Sequence, residues 1–298
     1  MSEFYLLGNA TNCQMFGCVI ITPHKTIVID GGTVGDAEQL QHFLRTHRPP
    51  QSRLSADDPI TVDLWLLTHP HHDHFGAFLT LCGQDPSLSV ARLCCRFPSI
   101  DDLRLYEPRS EAEMQLWDTF DKLSRDRFAD ALHVNCVGDT FTADDITVSV
   151  LRVYQPQITS NFVNNSSSVY KITGEAASVL ILGDLGVEGG EELMQMYPDE
   201  ITVTDELGNE TKRHPRAVLS TDYTQMAHHG QRGVSRACYE YLRPRACLWP
   251  TPEWLWNNDN GTGFDRGPWE TVRTREWMDA LGVTTHLIEK DGAQSFIL

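Results

Sequence analysis

Residues Leu64 to Phe78, reading LWLLTHPHHDHFGAF, restrict what this chain can become more than any other stretch. Four apolar residues, Leu64, Trp65, Leu66 and Leu67, make a short run of buried-strand character. Thr68 then opens a turn carrying His69, His71, His72, Asp73 and His74. The chain leaves a strand and at once presents metal ligands. With 12 histidines among 298 residues, the order His, any, His, any, Asp, His arises by chance in roughly one such sequence in a thousand, so it is read as chemistry. Neutral imidazole nitrogens bind Zn²⁺ or a similar cation at about 2.0–2.1 Å, and carboxylate oxygens bind at similar range. On a turn after a strand, His69 and His71 can face one side while Asp73 and His74, at the entry of the next helix, face the other. One loop can therefore serve two cations. The competing reading, Asp73 as a cap for a helix from about His74 to Leu81, leaves three histidines in register without a purpose.

The partners of such a site are narrowed by charge. Against 24 basic residues stand 41 acidic ones, a formal charge of -17, which repels polyanions at long range. Long nucleic acid is thus a disfavoured partner and a small-molecule substrate the expected one. The first ten residues, MSEFYLLGNA, lack the basic segment and apolar core of a secretory signal, and no apolar run approaches the ~20 residues of a membrane helix. No membrane partner is expected, and the expected compartment is the cytoplasm. The eight cysteines sit dispersed in apolar contexts without the two-residue spacing of a zinc ribbon, so they read as buried thiols.

Further strand ends also deliver chemistry. Strands are expected at Phe4 to Leu7, Cys18 to Thr22 and Thr26 to Ile29, the last running into Asp30, Gly31 and Gly32. A carboxylate there can orient a neighbouring ligand. Asp36 to Thr46 has helical apolar spacing with Asp36 as N-cap, and Pro108 to Arg127 reads as one long amphipathic helix. Tyr154 to Ser168 breaks the pattern with Asn161, Asn164, Asn165 and three serines in a row. Then Ser178 to Leu182 runs through Gly183 to a second strand-end carboxylate, Asp184. Asp205 to Glu210 resembles a hairpin tip. A strand from Thr221 to Ala227 delivers His228, His229 and Gly230. The segment 250–268, with Trp254 and Trp256, is a candidate rim or lid, and Thr284 to Glu289 with Gln294 to Leu298 would close the chain as a hairpin. Strands, helices, then strands again fit two sheets covered by helices on both outer faces, an α/β four-layer αββα sandwich with its site where loops from both halves converge.

His69, His71, Asp73 and His74, preceded by Asp30 and followed by Asp184 and His228/His229, resemble the metallo-β-lactamase superfamily from near the start to at least Pro250. The NNSSSVYKI stretch, the LILGD strand and the MAHHG turn are most similar to the hydrolase-like domain of the competence protein ComEC and its soluble relatives. The resemblance implies a single hydrolase domain over residues 1–298. It implies that His69 and His71 hold one metal, that Asp73 and His74 hold a second, and that Asp184 bridges them. One of His228 and His229 closes the second site; His228 is favoured as ligand, with His229 contacting substrate or donating a proton, though the sequence leaves the order open. Many superfamily members supply a third His to the first metal, where this chain offers Asn164, Asn165 and Ser166 to Ser168; His133 lies two strands too early. The first metal is then expected to be weakly held, water-rich or absent.

One or two divalent ions, zinc foremost with manganese or iron as alternatives, would lower the pKa of a bound water toward ~7 and polarise the scissile group. Asp73 or Asp184 would orient that water, Asn164, Ser167 and His229 would contact substrate, and Asp30 would support the ligands. The expected activity is metal-dependent hydrolysis of a small or exposed phosphodiester. A carbonyl-ester, thioester or lactone hydrolase of the same fold, and a non-catalytic metal-binding module, are the alternatives.

Overall fold

The computed structural model describes residues 1–204 and 209–298. Its main strands form two seven-stranded sheets, beside two small two-stranded pairs. The first contains β1 (Glu3–Leu6), β2 (Gly17–Ile21), β3 (Thr26–Asp30), β4 (Leu64–Leu66), β5 (Leu93–Cys95) and β6 (Leu132–Val134). The second contains β7 (Thr140–Ala143), β8 (Ile146–Arg152), β9 (Val169–Thr173), β10 (Ser178–Ile181), β11 (Tyr223–Gln225), β12 (Ala246–Trp249) and β13 (Thr285–Ile288). The last strand, β14 (Gln294–Ile297), returns to the first sheet. The strand orders are β14-β1-β2-β3-β4-β5-β6 and β13-β12-β11-β10-β9-β8-β7.

The period-two alternation of side chains explains the layering. Along β3, Ile27 and Ile29 enter the core between the sheets while Val28 joins an outer core; Leu64 and Leu66 of β4 point inward and Trp65 outward in the same way. Across the gap, Val179 and Ile181 of β10 meet that inner core, and Leu180 turns to the far side. Because both faces of these strands are buried, each sheet needs a helical cover. On the first sheet this cover is α1 (Ala37–Thr46), α2 (His72–Gln84), α3 (Ile100–Tyr106) and α4 (Glu111–Asp126), which bring Leu40, Phe78, Leu103 and Trp117 to the outer core. A single buried turn, α5 (Phe162–Asn165), follows β8. On the second sheet, α6 (Val187–Met196), α7 (Arg236–Leu242) and, beyond the short α8 (Glu253–Trp256), α9 (Thr271–Ala280) supply Leu193, Tyr239 and Met278. Three cores between four layers make the αββα sandwich. Among the described residues, no helix is long and apolar enough to cross a membrane, and all eight cysteines are free, six of them buried.

Several local expectations change. The helix expected over Pro108 to Arg127 starts only at Glu111, because the Ser110 hydroxyl caps it by accepting from the Glu113 N–H at 3.3 Å. Asp36 occupies the N-cap position of α1, as expected, but its side chain makes no capping hydrogen bond to that helix. Its carboxylate instead accepts from the Thr33 N–H at 2.9 Å and the Ala10 N–H at 3.0 Å, tying the loop after β1 to the loop after β3. The final hairpin does not form either. β13 pairs parallel with β12, and β14 pairs antiparallel with β1 in the other sheet. Phe296 of β14 gains by this, stacking on Phe4 at 4.9 Å and on Tyr223 of the opposite sheet at 3.8 Å. A polar excursion near 200 forms a small antiparallel pair, Ile201–Thr204 with Glu210–Arg213. The hairpin tip expected over 205–210 falls on residues 205–208, which lie outside the described residues.

Candidate metal centre

Parallel pairing brings the chemically equipped strand ends to one edge. β3 runs parallel to β4, and β10, β11 and β12 run parallel to one another, so the turns after all five leave the sandwich on a common side. There Asp30, the turn 69–74, Asp184 and His229 meet.

Two groups of side chains result, each able to gather around an ion: Asp73, His74, Asp184 and His229, and His69, His71 and Asp184. Asp184 belongs to both. Its Oδ1 lies 3.1 Å from His74 Nε2, and its Oδ2 lies 3.5 Å from His229 Nε2 and 3.7 Å from His69 Nε2. Asp73 Oδ2 lies 3.2 Å from His229 Nε2, and His69 Nε2 lies 3.0 Å from His71 Nδ1. Metal-lined pockets need donor atoms that are buried yet otherwise unused. His74 Nε2, His229 Nε2 and both carboxylate oxygens of Asp184 are buried and lack a hydrogen-bond partner. Four orphaned donor atoms aimed at one small volume fit a divalent cation.

A second layer of contacts fixes these donors. Asp30 Oδ2 lies 2.7 Å from His74 Nδ1, so the other ring nitrogen points to Asp184. The same carboxylate accepts from the Thr68 N–H at 2.7 Å and the Thr68 hydroxyl at 2.6 Å. His229 Nδ1 lies 2.8 Å from the Pro250 carbonyl, and the Thr251 hydroxyl donates to the His229 carbonyl at 2.7 Å. Gly183 holds a left-handed φ of +58° just before Asp184, and an added Cβ would lie 2.8 Å from Ser167 Oγ. Gln225 pins this turn by donating to the Gly183 carbonyl at 2.9 Å.

Charge follows geometry. Burial disfavours ionised carboxyls, yet the surrounding imidazoles, His74 and His229 foremost, hold Asp73 and Asp184 well below the usual carboxylate range. Burial likewise opposes a charged His74, but Asp184 and Asp30 raise it to about 10, and Asp184 with Asp73 raises His229 well above the ordinary value. Burial and the neighbouring His74 push His69 down. Without an ion, protonated His74 and His229 balance Asp73 and Asp184, and a divalent cation would take the place of those protons.

The order of the histidine pair differs from the one favoured above. His229 is fully buried and joins the cluster, whereas His228 keeps 16 % of its side chain exposed with Nε2 3.9 Å from Asp184 Oδ2. The cause is backbone conformation: both residues are left-handed, at φ 53° and 56°, which swings consecutive side chains in a way an extended strand would not. Ser167 is fully buried, and its hydroxyl accepts from the Asp184 N–H at 3.1 Å, a supporting contact rather than an open face. Asn164 is buried beside it with Oδ1 unpartnered. His133 pairs with Asp139 at 2.7 Å, and His72 lies 3.3 Å from Glu113, both outside the two groups. The segment 250–268 carries the Pro250 and Thr251 contacts to His229, and Trp254 reaches the Asn12 carbonyl at 2.8 Å.

Some participants carried no sequence signal. Gln14 donates to Asp73 Oδ2 at 3.0 Å from an unremarkable loop. His71 Nε2 lies 3.2 Å from Glu107 Oε1 and 2.9 Å from an Arg109 Nη2, both from the short connection between α3 and α4. Burial opposes it, but His71, the Val163 N–H and Arg109 bring Glu107 down to about 2.

Comparison with known proteins agrees with this architecture. The family model for the metallo-β-lactamase superfamily matches residues 17–86, which span β2 to the end of α2 and include the motif turn. Among solved structures, the metallo-β-lactamase fold protein YhfI from Bacillus subtilis is 12% identical, covers 100% of both chains and superposes with a TM-score of 0.51. CmlA, a diiron β-hydroxylase from Streptomyces venezuelae, is 13% identical over 100% of this chain and 54% of its own, with a TM-score of 0.49. MEM-A1, a subclass B3 metallo-β-lactamase from a soil metagenome library, is 16% identical over 61% of each chain, with a TM-score of 0.39. A comparison with curated proteins gives no match. The chain has the metallo-β-lactamase fold.

Proposed function

We propose that this chain is a metal-dependent hydrolase acting on a phosphodiester of a small or exposed substrate. The observation carrying this reading is the convergence of His74 Nε2, His229 Nε2 and both Asp184 oxygens, all buried and none hydrogen-bonded. Asp73, His74, Asp184 and His229 would hold one divalent cation, and His69, His71 and Asp184 a second. Zinc suits this mixed imidazole and carboxylate set best. A cation held there would supply an activated water, its pKa lowered toward ~7, and would polarise a phosphoryl oxygen. Asp73 and Asp184, held ionised by their imidazole neighbours, would accept hydrogen bonds that orient the attacking water. His228, at the half-open face with burial lowering its pKa, is placed to take a proton. Arg109, partly exposed at the edge beside His71, supplies positive charge for an anionic ester in a chain that is otherwise strongly acidic. Asn164, with its unpartnered Oδ1, contacts the substrate.

The group of His69, His71 and Asp184 has only two imidazoles, with Asn164 to Ser168 in the segment where a third ligand is often found, which agrees with the resemblance to ComEC and its soluble relatives. The test is hydrolysis of bis-p-nitrophenyl phosphate by zinc- and manganese-loaded protein, beside an ester, a thioester and a lactone. The expected result is phosphodiester cleavage that chelator abolishes and Asp184→Asn reduces at least 100-fold. Chelator-insensitive rates, or turnover of a carbonyl substrate alone, contradict the phosphodiester assignment.

A further inference from the structure

A second cleft, of about 400 Å³, opens beside the rim, between the loop after β1, the start of α8 and the turn joining β13 to β14. Its walls include Asn9, Asn12, Gln39, Glu253, Glu289 and Lys290. Glu289 is the unusual member. It is 3 % exposed, and neither carboxylate oxygen has a hydrogen-bond partner. A buried carboxyl left this way costs free energy unless something supplies donors.

Most of the donor capacity nearby is engaged elsewhere, with Asn9 alone close enough to pull on the carboxyl. The Asn9 amide donates to the Cys13 carbonyl, and the Gln39 amide donates to the Gly8 carbonyl at 2.7 Å. The Asn12 N–H donates to Asn9 Oδ1 at 2.6 Å, and Lys290 Nζ donates to Asp291 at 2.6 Å. A ligand that completes this cleft must bring N–H donors and positive charge of its own. A divalent cation fits less well, since the groups able to surround a metal among the described residues do not include Glu289.

We propose that this cleft binds a small molecule bearing a primary ammonium group, with Glu289 as its counter-ion and Glu253 adding negative charge at the mouth. An ammonium offers three N–H donors to two unmet acceptor oxygens in a site shielded from bulk water, where a charge-assisted hydrogen bond is strongest. Burial pushes the Glu289 carboxyl up to about 8 in spite of His229 and Asn9, and a bound ammonium would draw it back to the ionised form. The cleft borders the centre described above through the segment that begins with Pro250 and Thr251, the residues that hold His229.

The experiment is calorimetric titration of the metal-loaded full chain with 1,4-diaminobutane at constant ionic strength, with tetramethylammonium chloride as a cation lacking N–H donors. The expected result is saturable binding of the diamine, weakened at least tenfold in Glu289→Gln, with no binding of tetramethylammonium. The isosteric amide is checked for folding by circular dichroism. If it fails to fold, Ala293→Trp, at an exposed position on the cleft wall, is expected to block the diamine while leaving the carboxylate in place. Absence of saturable binding to the wild type, equal affinity in the variants, or equal response to both cations overturns the proposal.

Discussion

Asp30 Oδ2 and His74 Nδ1 lie 2.7 Å apart, both fully buried, and this contact aims the opposite ring nitrogen of His74 at Asp184. Asp30 holds a left-handed φ of 53°, a strained conformation for a non-glycine residue, at the end of β3. Strain of about 1–3 kcal/mol is tolerated there because the carboxylate collects Thr68 and His74 at once. Replacing Asp30 by Asn keeps the shape but removes the charge that orients the imidazole. Zinc affinity, measured by competition with a chromophoric chelator, is expected to fall 10- to 100-fold. Unchanged affinity shows that His74 is oriented by packing alone.

His228 and His229 are adjacent in sequence and separated in role. His229→Ala removes a donor atom that is buried among Asp73 and Asp184, and zinc content by mass spectrometry is expected to drop by about one ion per chain. His228→Ala is expected to keep its zinc and lose turnover. The opposite pattern of metal contents would return the ligand role to His228.

Gly230 carries a φ of +80°, and a Cβ added to it would lie 2.5 Å from the Trp249 ring. Neither the tryptophan, buried in the outer core, nor the backbone, fixed by His229, can yield easily. Gly230→Ala is expected to destabilise the fold by roughly 2–4 kcal/mol, read from the urea midpoint. A loss below about 0.5 kcal/mol would mean that this turn is free to readjust.

The sequence made the motif turn legible because strand-run residues and ligand residues are separated by Thr68 alone, and Asp184 legible because it repeats the strand-end carboxylate seen at Asp30. The alternation Ile27, Val28, Ile29 carried the layering for the same reason, that each side chain has only two directions to go. What the chain did not disclose depends on distant partners. His228 and His229 read identically until two left-handed residues turn one inward. Glu107 and Arg109 reach His71 only because α3 and α4 pack over the turn, where Trp117 donates to the Pro70 carbonyl at 2.8 Å. β13 and β14 look like a hairpin until the two sheets compete for their edges.

Glu289 gives the fold a pH dependence of definite sign. Burial raises its carboxyl from 4.5 to about 8, against the opposing pull of His229 and the Asn9 amide. A raised folded-state pKa means that the neutral form is favoured in the fold, so its stability is fully present below about 4.5 and is lost as pH rises through about 8. The loss is on the order of 5 kcal/mol by linkage. Urea midpoints of wild type and Glu289→Gln at pH 5.5 and pH 9 isolate this group, since other titrations cancel in the difference. The variant is expected to gain on the wild type as pH rises; parallel profiles would mean that the carboxyl finds a partner in solution.

Anomalous scattering from crystals of zinc-loaded protein tests the central claim most directly. The account predicts a peak enclosed by Asp73, His74, Asp184 and His229, with any second peak between His69, His71 and Asp184. Zinc absent from both positions, with the Asp184 oxygens hydrogen-bonded to protein instead, would contradict it.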